Sequence, residues 1–289
     1  MRTTVRYLVL LLLTTPLLTA CEEAVDPVLE GDMPFSLYGY LDPGQDVQAL
    51  RVYPIDPILE MGAPEHLGAD IRLRGPSTDV ALRDSIILFA DGEYGHVFYA
   101  RFQPDFATTY RIDARDARGR EAFVDVRTPA KAELELDTAT GVLGNVRMPA
   151  RFINAEQVLS PRVLYSFEST RAPFAWTIPV VYGDVIRRDG QDTWAMTVDL
   201  SRDIGVLYAV TGLQPGTDPI VLNRMEVQAF VATSDWTPPG GRFDRDLLVQ
   251  PGVFSNVENG FGFVGSGYVE RARALPDAAT LRLAGFANQ

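Results

Sequence analysis

Cysteine, lysine and histidine are almost missing from this chain of 289 residues: Cys21 is its one cysteine, Lys131 its one lysine, and His66 and His96 its two histidines. A single cysteine excludes a disulfide within the chain, so stability has to come from packing. The histidines are 30 residues apart, with no second histidine at helical or hairpin spacing, and a zinc site would need carboxylates that the pattern does not place. His96 alternates with Phe98, which predicts a packed or rim histidine. The lysine deficit leaves 25 of the 26 basic residues as arginine, as GC-rich codon usage does, and carries no information about activity. Positive charge is itself in deficit, since 38 acidic residues give a net charge of −12. That balance argues against nucleic acid, whose binding needs basic patches to displace counterions, and against electrostatic docking on anionic lipid.

Long apolar runs are also missing, with one exception at the start. Arg2 and Arg6 precede an apolar stretch from Tyr7 to Leu18, which runs into Leu18-Thr19-Ala20-Cys21. The run is shorter than the ~20 residues a membrane-spanning helix needs, contains Pro16, and meets Glu22-Glu23 at once. It reads as a signal peptide rather than a span. A leucine, small residues and then cysteine resemble the bacterial lipobox, which implies cleavage after Ala20 and acylation of the Cys21 thiol (palmitate or a similar chain) and of its new amino group. Cleavage would remove two arginines and no acid, deepening the negative charge. Two or three acyl chains hold firmly where one holds marginally. Glu22 is not the aspartate that retains lipoproteins in the inner membrane, so the expected location is the outer membrane, on its periplasmic or cell-surface face.

Residues 21–33 read as an acidic tether, after which a period of two sets in. Ala69-Asp70-Ile71-Arg72-Leu73-Arg74 alternates strictly, the pattern of a sheet with one wet side. Strands are likewise predicted over Phe35–Leu41, Val47–Tyr53, Ser85–Phe89, Gly95–Phe102, Thr109–Ala114 and Glu121–Arg127, with a turn at Asp116–Gly119. About seven strands in some 95 residues predict an immunoglobulin-like or fibronectin-III-like β-sandwich over 34–129. Thr128-Pro129-Ala130-Lys131 marks a boundary, because a proline directly after a strand cannot extend the ladder. A second β-rich domain with little helix is expected over 130–289. Its strands are predicted at Ala132–Leu136, Arg162–Glu168, Phe174–Tyr182, Thr193–Leu200, Val221–Ala232 and Gly260–Val269. Ser201 is a candidate cap for one helical turn toward Tyr208, and Leu275-Pro276-Asp277 opens a short segment to Leu283. The fold class expected is therefore all-β.

No catalytic constellation emerges. Gly260-Phe261-Gly262-Phe263-Val264-Gly265 satisfies the spacing of a dinucleotide loop, but that loop works only where a strand feeds a helix, and these residues favour a strand. The glycines are read as a bulge or a close backbone approach, with Asn256 and Asn259 shaping the turn before it. Asp42, Asp46, Asp113, Asp116, Asp244 and Asp246 are placed in turns, without calcium-loop spacing. No G-x-S-x-G elbow appears. Trp176 and Trp194 are expected in the core. Trp236 adjoins the Thr237–Gly241 loop, where it either packs under that loop or presents its ring to a sugar or a partner protein.

The lipobox, the tether, the β-sandwich ending at Gly119–Pro129, and Ser255-Asn256-Val257-Glu258-Asn259-Gly260-Phe261-Gly262-Phe263 together resemble the Bacteroidota lipoproteins grouped as domain of unknown function 4249. Those proteins carry an Asn-aliphatic-x-x-Gly-aromatic/aliphatic-Gly segment near the end, matched here by residues 256–262. The likeness covers most of the mature chain. It brings no activity, but it implies company, since such lipoproteins are often encoded beside TonB-dependent outer-membrane transporters. The expectation is a cell-envelope lipoprotein of two β-rich domains, attached to the membrane through Cys21. It would act as a non-catalytic binding or accessory subunit, without cofactor, metal or nucleotide. The alternatives are a surface hydrolase, or a capture protein for glycans or peptides with Trp236 as its platform.

Overall fold

The computed structural model describes residues 33–55, 65–88, 92, 94–183, 186–237 and 255–287. Ala20, Cys21 and the tether as far as residue 32 lie outside the described residues, as do Asp244 and Asp246.

The protein is all-β and sandwich-like, with two short helices among the described residues. The first seven strands are β1 (Phe35–Leu41), β2 (Val47–Pro54), β3 (Asp70–Gly75), β4 (Thr78–Leu88), β5 (Tyr94–Arg101), β6 (Thr109–Arg115) and β7 (Glu121–Arg127). Their alternation sends Leu50 and Val52 of β2, Ile71 and Leu73 of β3, and Val124 and Val126 of β7 into one core with Phe98 and Ile112. Strand β4 turns the corner of this sandwich: residues 78–82 pair with β3 and residues 83–88 with β5.

Beyond Thr128 come β8 (Glu133–Leu136), β9 (Thr140–Val142), β10 (Asn145–Ile153), β11 (Gln157–Ser169), β12 (Ala172–Val181), β13 (Arg187–Arg188) and β14 (Thr193–Asp199). Helix α1 (Leu200–Thr211), β15 (Ile220–Ala232), β16 (Phe261–Ala274) and helix α2 (Ala278–Ala284) complete the chain. A five-stranded sheet with path β13-β14-β10-β8 and β9 beside β10 shares the second core with the inner face of β11, β15 and the last part of β16. Val163, Tyr165, Phe167, Met225, Val227 and Val231 point into it from one side, and Met148, Phe152 and Val198 from the other.

One strand serves both cores. Residues 261–266 of β16 pair in parallel with β1, and residues 267–274 pair antiparallel with β15. The large sheet therefore runs without a break through eleven strands, β12-β11-β15-β16-β1-β2-β5-β4-β3-β6-β7. Its far edge comes back to its middle, because Phe123 of β7 exchanges backbone hydrogen bonds with Glu258, just ahead of β16. Asn256 supplies a false strand here: its amide oxygen accepts from the Val264 N–H at 3.0 Å and its amide nitrogen donates to the Val264 carbonyl at 2.7 Å. The glycines of this strand are close approaches. A Cβ on Gly262, at φ +111°, would overlap the Leu37 carbonyl oxygen of β1, and one on Gly260 would press on Ala122 of β7.

Two further ties fasten the halves together. The Tyr268 hydroxyl of β16 accepts from the Ala132 N–H at 2.6 Å, and burial pushes that phenol up to about 12, so it stays protonated. At the end of β7, Arg127 holds Glu156 with two bonds of 2.6 Å, and Glu156 also accepts from the Ser234 N–H after β15.

Several sequence expectations change. The expected single turn near Ser201 is a helix of 12 residues, capped by Asp199, whose carboxylate accepts from the Arg202 N–H. Ser201 instead accepts from the Val146 N–H with its hydroxyl, joining α1 to β10. Strand β10 was not anticipated, and it is the centre of the smaller sheet. Asp113 stands within β6, not in a turn, and is buried between Arg74 and Arg111 at 2.8 Å from each.

Two outcomes are expected from these contacts. Gly262→Ala should lower the unfolding free energy by about 2–4 kcal/mol in urea titrations, since both the backbone angle and the space beside Leu37 oppose a side chain. The bonds from Arg127 hold the Glu156 carboxyl below the usual glutamate range. A depressed carboxyl stabilises the fold at pH values above its unfolded pKa, and that contribution disappears as pH falls through the folded one. Arg127→Met should therefore cost about 1 kcal/mol at neutral pH and flatten the acid limb of a stability-versus-pH curve. An unchanged acid limb would remove this pair from the account.

Candidate functional site

On the large sheet, the residues of β1 that do not face the core are Ser36, Tyr38 and Tyr40. The register places Tyr38 between Phe263 of β16 and Arg51 of β2. Next to β2, Val97 stands opposite Arg51, and Tyr99 opposite Ala49. This outward face holds a cup of about 460 Å³ lined by Tyr38, Gly39, Tyr40, Ala49, Arg51 and Tyr53, with Leu50 and Val97 completing it. The volume lies in the range of small-molecule sites, roughly 300–1,000 Å³. Its floor is low because Ala49 has a small side chain, and its walls are tyrosine rings. Tyr38 meets Tyr53 edge-on at 5.9 Å.

Trp236 belongs to the same face. Its ring is half-buried and sits against Phe230 at 4.8 Å, Tyr40 at 5.8 Å and Phe263 at 5.9 Å. It fills the space over Gly265, where a Cβ would lie 2.8 Å from the indole. Trp236 thus supports the wall formed by Tyr40. The tyrosines of the cup escaped the sequence reading, although the signal is present: Phe35–Leu41 carries Phe35, Leu37 and Leu41 on one face and two tyrosines on the other. A strand apolar on both faces reads as buried on both, and only the register shows which face is the core.

A second concavity, of about 280 Å³, lies at the start of α1 and is lined by Arg147, Tyr182, Met196, Thr197, Asp199 and Arg202, with Ala195. Beneath it Asp203 is fully buried. Its Oδ2 accepts from the hydroxyls of Tyr165 and Tyr182, each at 2.5 Å, and its Oδ1 accepts from Arg202 Nε and Nη2 at 3.0 and 2.7 Å. Burial, and then the Asp203 charge, push both phenols upward, so they remain donors. With its oxygens engaged by four donors, Asp203 anchors α1 to β11 and β12 and has no capacity left to accept a substrate proton.

The two histidines converge on one carboxylate. His96 Nδ1 is 3.0 Å and His66 Nδ1 3.4 Å from Asp84 Oδ2, which also accepts from the Leu67 N–H at 2.9 Å. His96 is buried and His66 largely exposed. Asp84 thereby ties the segment before β3 to β4 and β5, and neither histidine lines the two cavities described above. Among the described residues, no group of three or more His, Cys, Asp or Glu is arranged to hold a metal ion, and no helix is long and apolar enough to cross a membrane. Trp176 and Trp194 are partly buried against the second core, and the Trp194 indole donates to the Ala155 carbonyl at 3.0 Å.

No known family model matches the chain, and no curated protein does. Among solved structures, 13% identity and a TM-score of 0.22 relate it to a Bacillus subtilis type I pullulanase complexed with maltose, over 68% of this chain and 23% of that one. The titin Ig tandem domains A164-A165 share 12% identity at a TM-score of 0.20, over 68% of this chain and 86% of theirs. Bovine butyrophilin shares 14% at 0.20, over 68% and 92%. This chain thus spans about a quarter of the pullulanase.

Asp203→Ala should strand two phenols and a guanidinium around a new cavity and cost about 3–5 kcal/mol in urea unfolding, a range set by the removal of one partner from a buried polar cluster. Asp203→Asn keeps the shape and should cost less. Equal losses for the two variants would show that the charge is irrelevant.

Proposed function

We propose that this protein is an outer-membrane lipoprotein, held by acyl chains on Cys21, that acts as a non-catalytic binding or accessory subunit of a TonB-dependent transporter. The observation that carries this reading is the Leu18-Thr19-Ala20-Cys21 segment after a short apolar run with a basic start. The resemblance of residues 256–262 to the segment typical of transporter-associated lipoproteins supports the choice of partner. In this reading the β-body is the support that presents the cup of β1, β2 and β5. The chemistry at hand supports binding rather than turnover, because the Asp203 carboxylate beside the smaller concavity and the Asp84 carboxylate between the two histidines are engaged in fastening elements together.

The cup favours a second reading, capture of a small ligand for delivery. Tyrosine walls beside the small side chain of Ala49 suit a flat or ring-shaped molecule, with phenol hydroxyls and Arg51 to orient it.

Cys21→Ser should release the protein from the outer-membrane fraction and abolish labelling by a palmitate analogue. The wild-type chain, extracted in mild detergent, should bring down a large outer-membrane β-barrel. Recovery of the wild-type protein alone at every salt concentration tried would overturn the accessory role, and unchanged membrane retention of Cys21→Ser would overturn the anchor.

A further inference from the structure

Among the described residues, the outward face that holds the cup carries charge of the opposite sign to the molecule as a whole. Register and alternation identify its members. Across β2 and β5, Val47 stands opposite Arg101, and Tyr99 stands between Ala49 and Arg83 of β4. On the other side of β1, Tyr40 stands opposite Gly265, and the odd-numbered residues of β16 continue the face through Val269 to Arg271 and Arg273. Arg271 lies opposite Gln228 of β15, and Gln228 opposite Arg162 of β11. The buried Gln228 amide turns its oxygen to the Arg162 guanidinium at 2.9 Å. Arg224 occupies the same face of β15, opposite Ser166.

Among the described residues, few carboxylates share this face. Glu226 is buried and bound by Arg273 at 2.9 Å, and Glu168 accepts from the Asn223 amide at 3.0 Å. Asp42 and Asp46 stand at the rim, in the turn between β1 and β2. In a chain with 38 acidic and 26 basic side chains, arginine predominates here and borders the tyrosine cup directly, since Arg51 is part of its wall. From Arg83 on β4 to Arg162 on β11 the sheet order spans six strand spacings, or roughly 30 Å at about 4.8 Å each.

We infer that this face binds an acidic polysaccharide, a chain of sugar rings bearing carboxylates. The inference rests on the reading of the protein as a binding subunit and names the class of its ligand. The aromatic cup seats one ring, and the arginines on either side take the carboxylates of neighbouring residues through their planar forks. The spread of arginines across strands matches an extended polymer, and the tyrosine walls select a ring-bearing polymer over an acidic peptide. Such binding weakens with salt, because most of the charges are exposed.

The test uses full-length lipidated protein in mild detergent, with immobilised polygalacturonate, neutral dextran and poly-glutamate as probes at low and physiological salt. Polygalacturonate should bind, dextran should not, and poly-glutamate should bind at least tenfold more weakly. Arg162→Glu with Arg271→Glu should weaken polygalacturonate at least tenfold. Ala49→Trp should do the same by filling the cup, without lowering the melting temperature. Arg101→Glu, at an exposed position, provides a second charge reversal should the double variant fold poorly, with a loss of about threefold expected. Equal binding of poly-glutamate and polygalacturonate, no binding of polygalacturonate, or wild-type binding by Ala49→Trp would each overturn the inference. Loss of polysaccharide binding with intact transporter co-purification would leave the accessory role standing and remove only the ligand.

Discussion

Everything in this fold depends on β16 running unbroken past two partners. Over its first six residues it is the parallel neighbour of β1, and over the remainder the antiparallel neighbour of β15. The first strand of the chain therefore waits on the last for its second row of hydrogen bonds, across more than 200 residues. Contacts of that separation are slow to form, because the loop entropy is lost before the pairing is gained. The Leu41 carbonyl and the buried Ser266 hydroxyl, 2.8 Å apart, mark the point where β16 passes from one core to the other. Parallel pairing needs a long crossover, and here most of the protein is that crossover.

Much of the β content was legible because the alternation is local. Ile71 and Leu73 face inward and Arg72 and Arg74 outward, as their order in the chain says. The hairpin partners were legible too, but long-range partners were not, since nothing near Phe261 points to Ser36. Strand β10 was hidden by its composition: Asn145, Arg147, Pro149 and Arg151 alternate with Val146, Met148, Ala150 and Phe152, and a mid-strand proline speaks against a central position. The register resolves this: on the side away from β14, β9 pairs with residues 145–147 and β8 with residues 150–153, and Pro149 falls in the gap between them. The helix after β14 was underestimated because Ser201 and Asp199 compete as caps. The choice fell to Asp199, which reaches the Arg202 N–H, while Ser201 was drawn to β10.

The site was less legible than the fold, for a related reason. Apolar side chains on a strand identify a face and not its partner, so the rings of Tyr38 and Tyr40 read as more core. Single residues show the same dependence on register. Trp236 offered two readings, packed or presented to a ligand, and it is half-buried and braces Tyr40. His66 and His96, far apart in sequence, meet at Asp84 only because β4 and β5 are a hairpin and the segment before β3 folds back over them. The Leu18-Thr19-Ala20-Cys21 segment needs no register to be noticed, because its resemblance to a lipobox lies in linear sequence alone.

The glycines that let β16 approach its neighbours also shape the outward face. At Gly262 the requirement is the Leu37 carbonyl of β1, a demand of the fold alone. At Gly265 and Gly267 it is aromatic: side chains there would press on Trp236 and Phe230, which lie across the strand. Because those two positions are bare, Phe230 can meet Tyr40 edge-on at 5.7 Å over the top of β16. The tyrosine cup and the arginine rows thus lie on either side of an aromatic cluster of Tyr40, Phe230 and Trp236. A strand selected only to pair with both neighbours would favour β-branched residues at 265 and 267. Glycine there weakens the strand and gives the rings of Trp236 and Phe230 room to pack across it.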